Sequence, residues 1–395
     1  MTTAEASTSS TRDLRDQARA LAPAIRAAGD RIERERRLPA DLVEQLRAAG
    51  MFHLAVPTSY GGVEADPMTA SRVVQEISSA DGSAGWCVML GMQAGLYGGF
   101  LAPEVAEPVL RGPSGARGGI LAGTARPIGR AVRVDGGFRI SGRWPFASGS
   151  SHATHFTGEA LLYEDGSETP AKNDDGTDRV IAFLVPREEI TLHDVWDTTG
   201  LRGTASNDFE IADAHVPDEH VFDFSTPRHD WALYRCGALI FMNHGAQALG
   251  LAQAALAAAR EIFTTKRGWG GVPLQEVGRV QETFAIAHAR FEAAETHYYA
   301  IGDALWQDVL ASGGEGDPVL RAKARLAANH AATESLGVVD LLHRACATTA
   351  IQRSNPLDRI FRDMHTATAH VMVGPLVYEA AGRVLLGRAA DFPLF

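Results

Sequence analysis

The segment RWPFASGSSHATHF, Arg143–Phe156, gathers Trp144, Phe146, the hydroxyls of Ser148, Ser150, Ser151 and Thr154, and the imidazoles of His152 and His155. A folding core needs no such mixture, and a solvent loop rarely carries Trp and Phe together. Flat apolar rings beside hydroxyls that donate and accept are suited to gripping one face and one edge of a planar ligand. The plainer alternative makes Trp144 and Phe146 core plugs and the serines turn residues. Ser150 and Ser151 read as ordinary turn hydroxyls, and His152 fits a loop hydrogen bond as well as a functional role.

The elements around this stretch change character twice along the chain. From Thr11 to about Phe100 the spacing is helical. Pro39 is a start signal, Leu42, Val43, Leu46 and Ala49 share a face, and Gly50 is a stop. Tyr60–Gly62 reads as a turn, and two helices follow, broken around Asp81 and Gly82. From about Gly119 to Phe224 the period becomes two. In RAVRVDGGFRISG, Val132 and Val134 share one face, Phe138 and Ile140 the other, with Asp135-Gly136-Gly137 as the hairpin turn. Arg179–Pro186 and Asn207–Pro217 are further strands, and the acidic Tyr163–Asp178 is an exposed loop. From about Trp231 four long helices are expected, near Ala238–Phe263, Val277–Leu310, Pro318–Ala347 and Pro356–Leu386. The order is α+β, with a polar tail over 1–10, a helical unit over 11–118, a β unit over 119–224 and a four-helix bundle over 225–395.

The 395 residues are 45% hydrophobic and 22% charged, with a net charge of −11 and no basic block, which argues against nucleic acid as partner. Cys87, Cys236 and Cys346 are too far apart for a metal or CxxC motif and read as reduced core thiols of a cytoplasmic protein. No apolar run reaches the ~18 residues of a membrane span, and the polar first ten residues do not resemble a signal peptide. No GxGxxG follows a strand, so no nicotinamide site is evident.

Three stretches carry a resemblance. LPADLVEQLRAAGMFHLAVPTSYGG, GLRGTASNDFEIADAHVPDEHVF and PLDRIFRDMHTATAH resemble the N-terminal helix and loop, the central strand pair and the C-terminal helix of the acyl-CoA dehydrogenase fold. That resemblance implies an α-domain, a β-domain and a C-terminal four-helix bundle, normally paired into a homotetramer. Dehydrogenases of this fold remove an α-proton with a glutamate soon after the Arg-Asp pair; the same register here arrives at Val371. No carboxylate lies between Asp230 and Glu261, where other members place it. Without a positioned base, proton abstraction forfeits a factor of ~10²–10⁴.

Trp144, Phe146, Ser148, Gly149, the His152-Ala153 pair and Arg362-Asp363 followed by His370 instead resemble the flavin-dependent two-component monooxygenases of this fold. The resemblance implies reduced FAD or FMN supplied by a separate NAD(P)H:flavin reductase, O2 as co-substrate and a C4a-hydroperoxyflavin that hydroxylates an aromatic, amine or heteroatom centre. It implies cofactor contacts at Trp144, Phe146, Ser148, Trp196 and Ser206, cations at Lys266 and Arg267 for a flavin phosphate, and catalytic roles for Ser148 and His370. His370 is expected on a helix beside small Thr366, Ala367, Val373 and Gly374, with room for a substrate to polarise or deprotonate; a satisfied core histidine is the alternative. Gln93 stands where phenol-hydroxylating relatives carry a histidine; it can bond a hydroxyl but takes no proton. Two other functions stay open: an acyl-thioester dehydrogenase with an unrecognised base, and a catalytically silent partner subunit of the same fold.

Overall fold

The computed structural model describes residues 3–112, 118–224 and 226–392, with side chains from residue 13 onward. Helix α1, Thr3–Glu35, buries Ile25 and Ile32. Most of the first ten residues, expected as a tail, thus continue that helix. Helix α2, Ala40–Ala48, begins after Pro39 and is followed by Gly50 at φ 76°. Helices α3, Pro67–Ala80, and α4, Gly82–Gly95, break at the expected place because the Asp81 carboxylate accepts from the Ala84 N–H at 3.0 Å and caps α4. A short helix α5, Pro103–Leu110, leads into the sheet.

The sheet comprises β1 Leu121–Val134, β2 Gly137–Ala147, β3 His155–Tyr163, β4 Val180–Pro186, β5 Thr191–His193, β6 Asn207–Pro217 and β7 Val221–Phe222. The strand order is β5-β6-β2-β1-β3-β4-β7, with β1 and β3 parallel and the other neighbours antiparallel. Val134 pairs with Gly137, so the hairpin turn is the two-residue Asp135-Gly136 and Gly137 already belongs to β2. Strand β2 also runs further than expected: the first third of the aromatic and hydroxyl stretch is strand. Its register against β6 shifts between Trp144, opposite Phe209, and Ala147, opposite Asn207. That bulge adds a residue to one strand and redirects the side chains on either side of it.

The C-terminal region comprises α6 Gly237–Phe241, α7 Asn243–Thr265, α8 Gly278–Ser312, α9 Pro318–Cys346, α10 Pro356–Ala367 and α11 Pro375–Leu385. The first three expected helices fall close to α6–α7, α8 and α9. The fourth is broken. After α10 the chain makes a 3₁₀ turn at Val371–Val373, and Pro375 opens α11 behind an extended Gly374. Proline is at home in a first helical turn, but its missing N–H forbids continuing a helix through it. The architecture has the expected α+β order: helices, one sheet, then helices.

Candidate active site

Helix α4 is buried around most of its circumference, and Trp86 in it is 6% exposed. An indole buried that deeply requires an acceptor for its N–H. Trp86 Nε1 donates to Ser148 Oγ at 3.0 Å, and the hydroxyls continue from Ser148 to Ser206 at 2.7 Å and from Ser206 to Thr204 at 2.7 Å. Thr204 Oγ1 then donates to the Leu201 carbonyl at 2.9 Å. The two ends fix the direction of this chain. An indole N–H only donates and a carbonyl only accepts, so each hydroxyl passes its single proton toward Leu201. Ser148 therefore gives its proton to Ser206 and accepts from Trp86, and the remaining capacity of its oxygen is a lone pair.

The same indole stands edge-on to two imidazoles, His244 with centroids 5.6 Å away and His370 at 5.4 Å. The imidazoles stack on each other at 4.6 Å with planes 18° apart. Burial pulls His370 down to about 4, and His244 lies well below its usual value through burial and the neighbouring His370 ring, so both are neutral at pH 7. Their tautomers follow from their partners. The Met372 N–H donates to His370 Nδ1 at 3.3 Å, so the His370 proton sits on Nε2. The Phe241 carbonyl accepts from His244 Nδ1 at 3.2 Å, which leaves His244 Nε2 a bare acceptor, buried and without a partner among the described residues. The pair presents one donor and one acceptor. In this tautomer His370 has a donor at Nε2 and no free ring acceptor, which suits polarising a group and not deprotonating it.

The loop carrying Thr204 and Ser206 is held from several sides. Leu201 and Ala205 adopt left-handed φ values of 48° and 44°, costly for residues with a Cβ. Asp363 on α10 accepts from the Leu201 N–H at 2.6 Å, and Ser83 on α4 accepts from the Gly203 N–H at 3.1 Å. Ser150 donates to the Ala205 carbonyl at 2.6 Å, and the Gly149 N–H to the Thr204 carbonyl at 2.8 Å. The Arg-Asp pair thus acts as a clamp. Arg362 holds Glu33 at 2.8 Å and Asp358 at 2.8 Å, while Asp363 holds the loop. Burial and the charge of Asp81 push Asp363 up to about 8.

Ser148, Ser206 and His370 are therefore brought together through Trp86. His370 does not lie within a helix; it follows α10 and caps the 3₁₀ turn, because its Nδ1 takes the Met372 N–H. Trp144 is no ligand wall. It is fully buried in the β core, stacked on Phe209 at 5.1 Å, with its N–H donated to the Glu159 carbonyl at 2.8 Å. A Cβ at Gly129 would collide with its ring, so the sheet is built around that indole. Phe146, in the bulge with φ 66°, is 57% exposed and meets half-buried Trp196 edge-on at 6.4 Å. Gln93 lies two helical turns from Trp86 on the same face of α4, but its Nε2 donates to the Ile240 carbonyl at 3.3 Å, so that donor is not free for a substrate. Lys266 and Arg267 follow α7, about 33 Å along the axis from His244 at its other end; Lys266 holds Thr349 and Arg267 the Gly271 carbonyl. Within one chain they are not part of this site.

Trp86 and His244 are the residues the sequence reading missed. The signal for His244 is a polar residue at the start of the apolar run MNHGAQALGLA, in a segment that holds no carboxylate. Cys87, Cys236 and Cys346 are buried and free. Among the described residues no cluster of potential metal ligands occurs, and no helix is long and apolar enough to cross a membrane.

Comparison with known proteins agrees with this architecture. The family models "Acyl-CoA dehydrogenase, N-terminal domain" and "Acyl-CoA dehydrogenase, C-terminal domain" match residues 8–102 and 242–375, together more than half of the chain. Indole-3-acetate monooxygenase of Pseudomonas putida is 29% identical, over 92% of this chain and 91% of its own length. The flavin-dependent monooxygenase oxygenase subunit HsaA of Rhodococcus jostii is 28% identical, over 90% and 93%. The crystal structure of the HsaA monooxygenase from M. tuberculosis superposes with a TM-score of 0.87 at 25% identity, covering 98% of this chain and 100% of that one. The chain belongs to the acyl-CoA dehydrogenase superfamily. The relatives above, similar to this chain along nearly its whole length, are all named as monooxygenases.

Proposed function

We propose that this protein is the oxygenase component of a two-component flavin-dependent monooxygenase, acting on a small aromatic, amine or heteroatom-containing substrate with O2 and flavin reduced by a separate NAD(P)H:flavin reductase. One observation carries the assignment to this site: the hydroxyl chain from Trp86 to Leu201 leaves Ser148 an acceptor. A reduced flavin carries a proton at N5; an oxidised flavin presents a lone pair there. An acceptor at Ser148 matches the first and opposes the second.

The residues present fit such a cofactor. Phe146 and Trp196 offer exposed and half-exposed aromatic surface to a flat ring, and Ser206 fixes the orientation of Ser148. When bound, the flavin supplies the activation of oxygen. Helix α4, the strained loop 201–205 and the imidazole pair exclude water from it, which limits loss of peroxide. His370 Nε2–H donates to the substrate or to oxygen, and His244 Nε2 accepts from a substrate hydroxyl or N–H. The cations Lys266 and Arg267, beside fully exposed Trp269, serve the flavin phosphate of a neighbouring subunit in a homotetramer.

The test is anaerobic equilibrium dialysis with FMN and FAD in both redox states. Reduced flavin is expected to bind at least about tenfold more tightly than oxidised, the scale of one buried hydrogen bond exchanged for a clash of lone pairs. Equal affinities, or none, would contradict the assignment.

A further inference from the structure

Arg325 on α9 is 1% exposed, yet no carboxylate lies within 4 Å of it among the described residues. Its Nη2 reaches only the carbonyl and the sulfur of Met372, both at 3.4 Å, and its Nε and Nη1 are buried with no partner. One turn on, Asn329 is fully buried; its amide donates to the Gly374 carbonyl at 3.1 Å, and its Oδ1 is unpartnered. Burial draws the guanidinium down to about 10, so at neutral pH it is still a cation. Neutral orphan amides are commonly met by ordered water. A buried cation with two vacant donors is a far costlier arrangement.

The position of this cation points to its use. It faces the 3₁₀ turn that His370 caps, and its charge helps to keep both His370 and His244 neutral. Helices α9 and α4 both pack on α7, so Arg325 approaches the imidazole pair from α9 while Ser148 approaches it through Trp86 of α4. The guanidinium carbon stands 5.7 Å from the centre of the Phe241 ring, and half-buried Met372 rests its sulfur against Nη2, where a thioether is readily displaced. We propose that Arg325 is the seat of a substrate carboxylate: the guanidinium takes the carboxylate along its Nε–Nη2 edge as Met372 moves off Nη2, and the aromatic end of the substrate lies against His370 and His244. This rests on the flavin-oxygenase reading of the same site and names its substrate class, small aromatic acids.

The experiment measures equilibrium binding of benzoate, phenylacetate and indole-3-acetate, each against its primary amide, to the full-length protein and to Arg325→Met and Arg325→Lys. In the unmutated protein at least one acid is expected to bind about 100-fold more tightly than its amide, the scale of a buried charge-assisted pair. Arg325→Met should reduce that preference to within about threefold, and Arg325→Lys should restore part of it. Binding of no acid, or equal binding of acid and amide, overturns the proposal from the unmutated protein alone, whether or not the variants fold. So does a preference that survives Arg325→Met. Anaerobic dialysis of reduced FMN with Arg325→Met separates this outcome from the flavin assignment, because the affinity is expected to be unchanged; a loss of reduced-flavin affinity with the acid preference intact assigns the cation to the cofactor and overturns the proposal.

Discussion

Trp86 is the hinge between two halves of the site, since its N–H orients Ser148 and its ring packs on His244 and His370. Trp86→Phe keeps an aromatic ring and removes the donor, so Ser148 becomes free to reverse its proton. Turnover coupled to oxygen is expected to fall by about 10²-fold, the scale of losing one oriented donor in an active site, with hydrogen peroxide rising in proportion and Tm little changed. Coupled turnover within twofold of the parent would contradict the directed hydroxyl chain. Nothing in the sequence marked Trp86. It lies in an apolar helix, and its importance comes from contacts with residues 62, 158 and 284 positions away, which no local spacing encodes. Ser148, Ser206 and His370 were readable because their neighbours matched a family pattern.

Among the elements, the bulge in β2 divides two aromatic residues that the sequence presents as a pair. Trp144 faces the β core and Phe146 faces outward. Trp144→Ala is expected to lower stability by about 3–5 kcal/mol in chemical denaturation, whereas Phe146→Ala should leave the midpoint unchanged and weaken flavin binding. The reverse pattern would restore Trp144 as a ligand contact. Alternation alone cannot show this, because a bulge changes the face on which a side chain emerges. The clamp of α10 on loop 201–205 makes a pH prediction. Asp363 titrates at about 8 in the folded protein, against an ordinary value of 3.8. The folded state therefore keeps a proton that the unfolded state loses, and stability contributed by this group declines as pH rises from about 4 to 8 and levels off above. Asp363→Asn mimics the neutral acid and should flatten that part of the profile. Parallel thermal-melt profiles for parent and variant would show that Asp363 is ionised at neutral pH.

At the scale of the whole molecule, the helix–sheet–helix order and nearly every long element were legible, since periods of 3.6 and 2 are properties of the chain itself. The break at His370–Gly374 was not, although Gly374-Pro375 marked it. The distance from the active site to Lys266 and Arg267 was not legible either, because only a folded α7 sets it. The proposed function assigns these two cations to the cofactor of a neighbouring subunit, and that assignment can be tested. Mixing a Lys266→Ala/Arg267→Ala chain with a Ser148→Ala chain, each impaired alone, should recover activity in the hybrid. No recovery after verified subunit exchange would confine the cofactor to one chain. The central claim is that Ser148, held as an acceptor by Trp86, retains a reduced flavin while oxygen reacts. Rapid mixing of the protein–reduced FMN complex with oxygen tests it most directly. Flavin reoxidation should be biphasic and slower than in free solution, and Ser148→Ala should quicken the slow phase by at least about tenfold. Identical traces for parent and variant would contradict it.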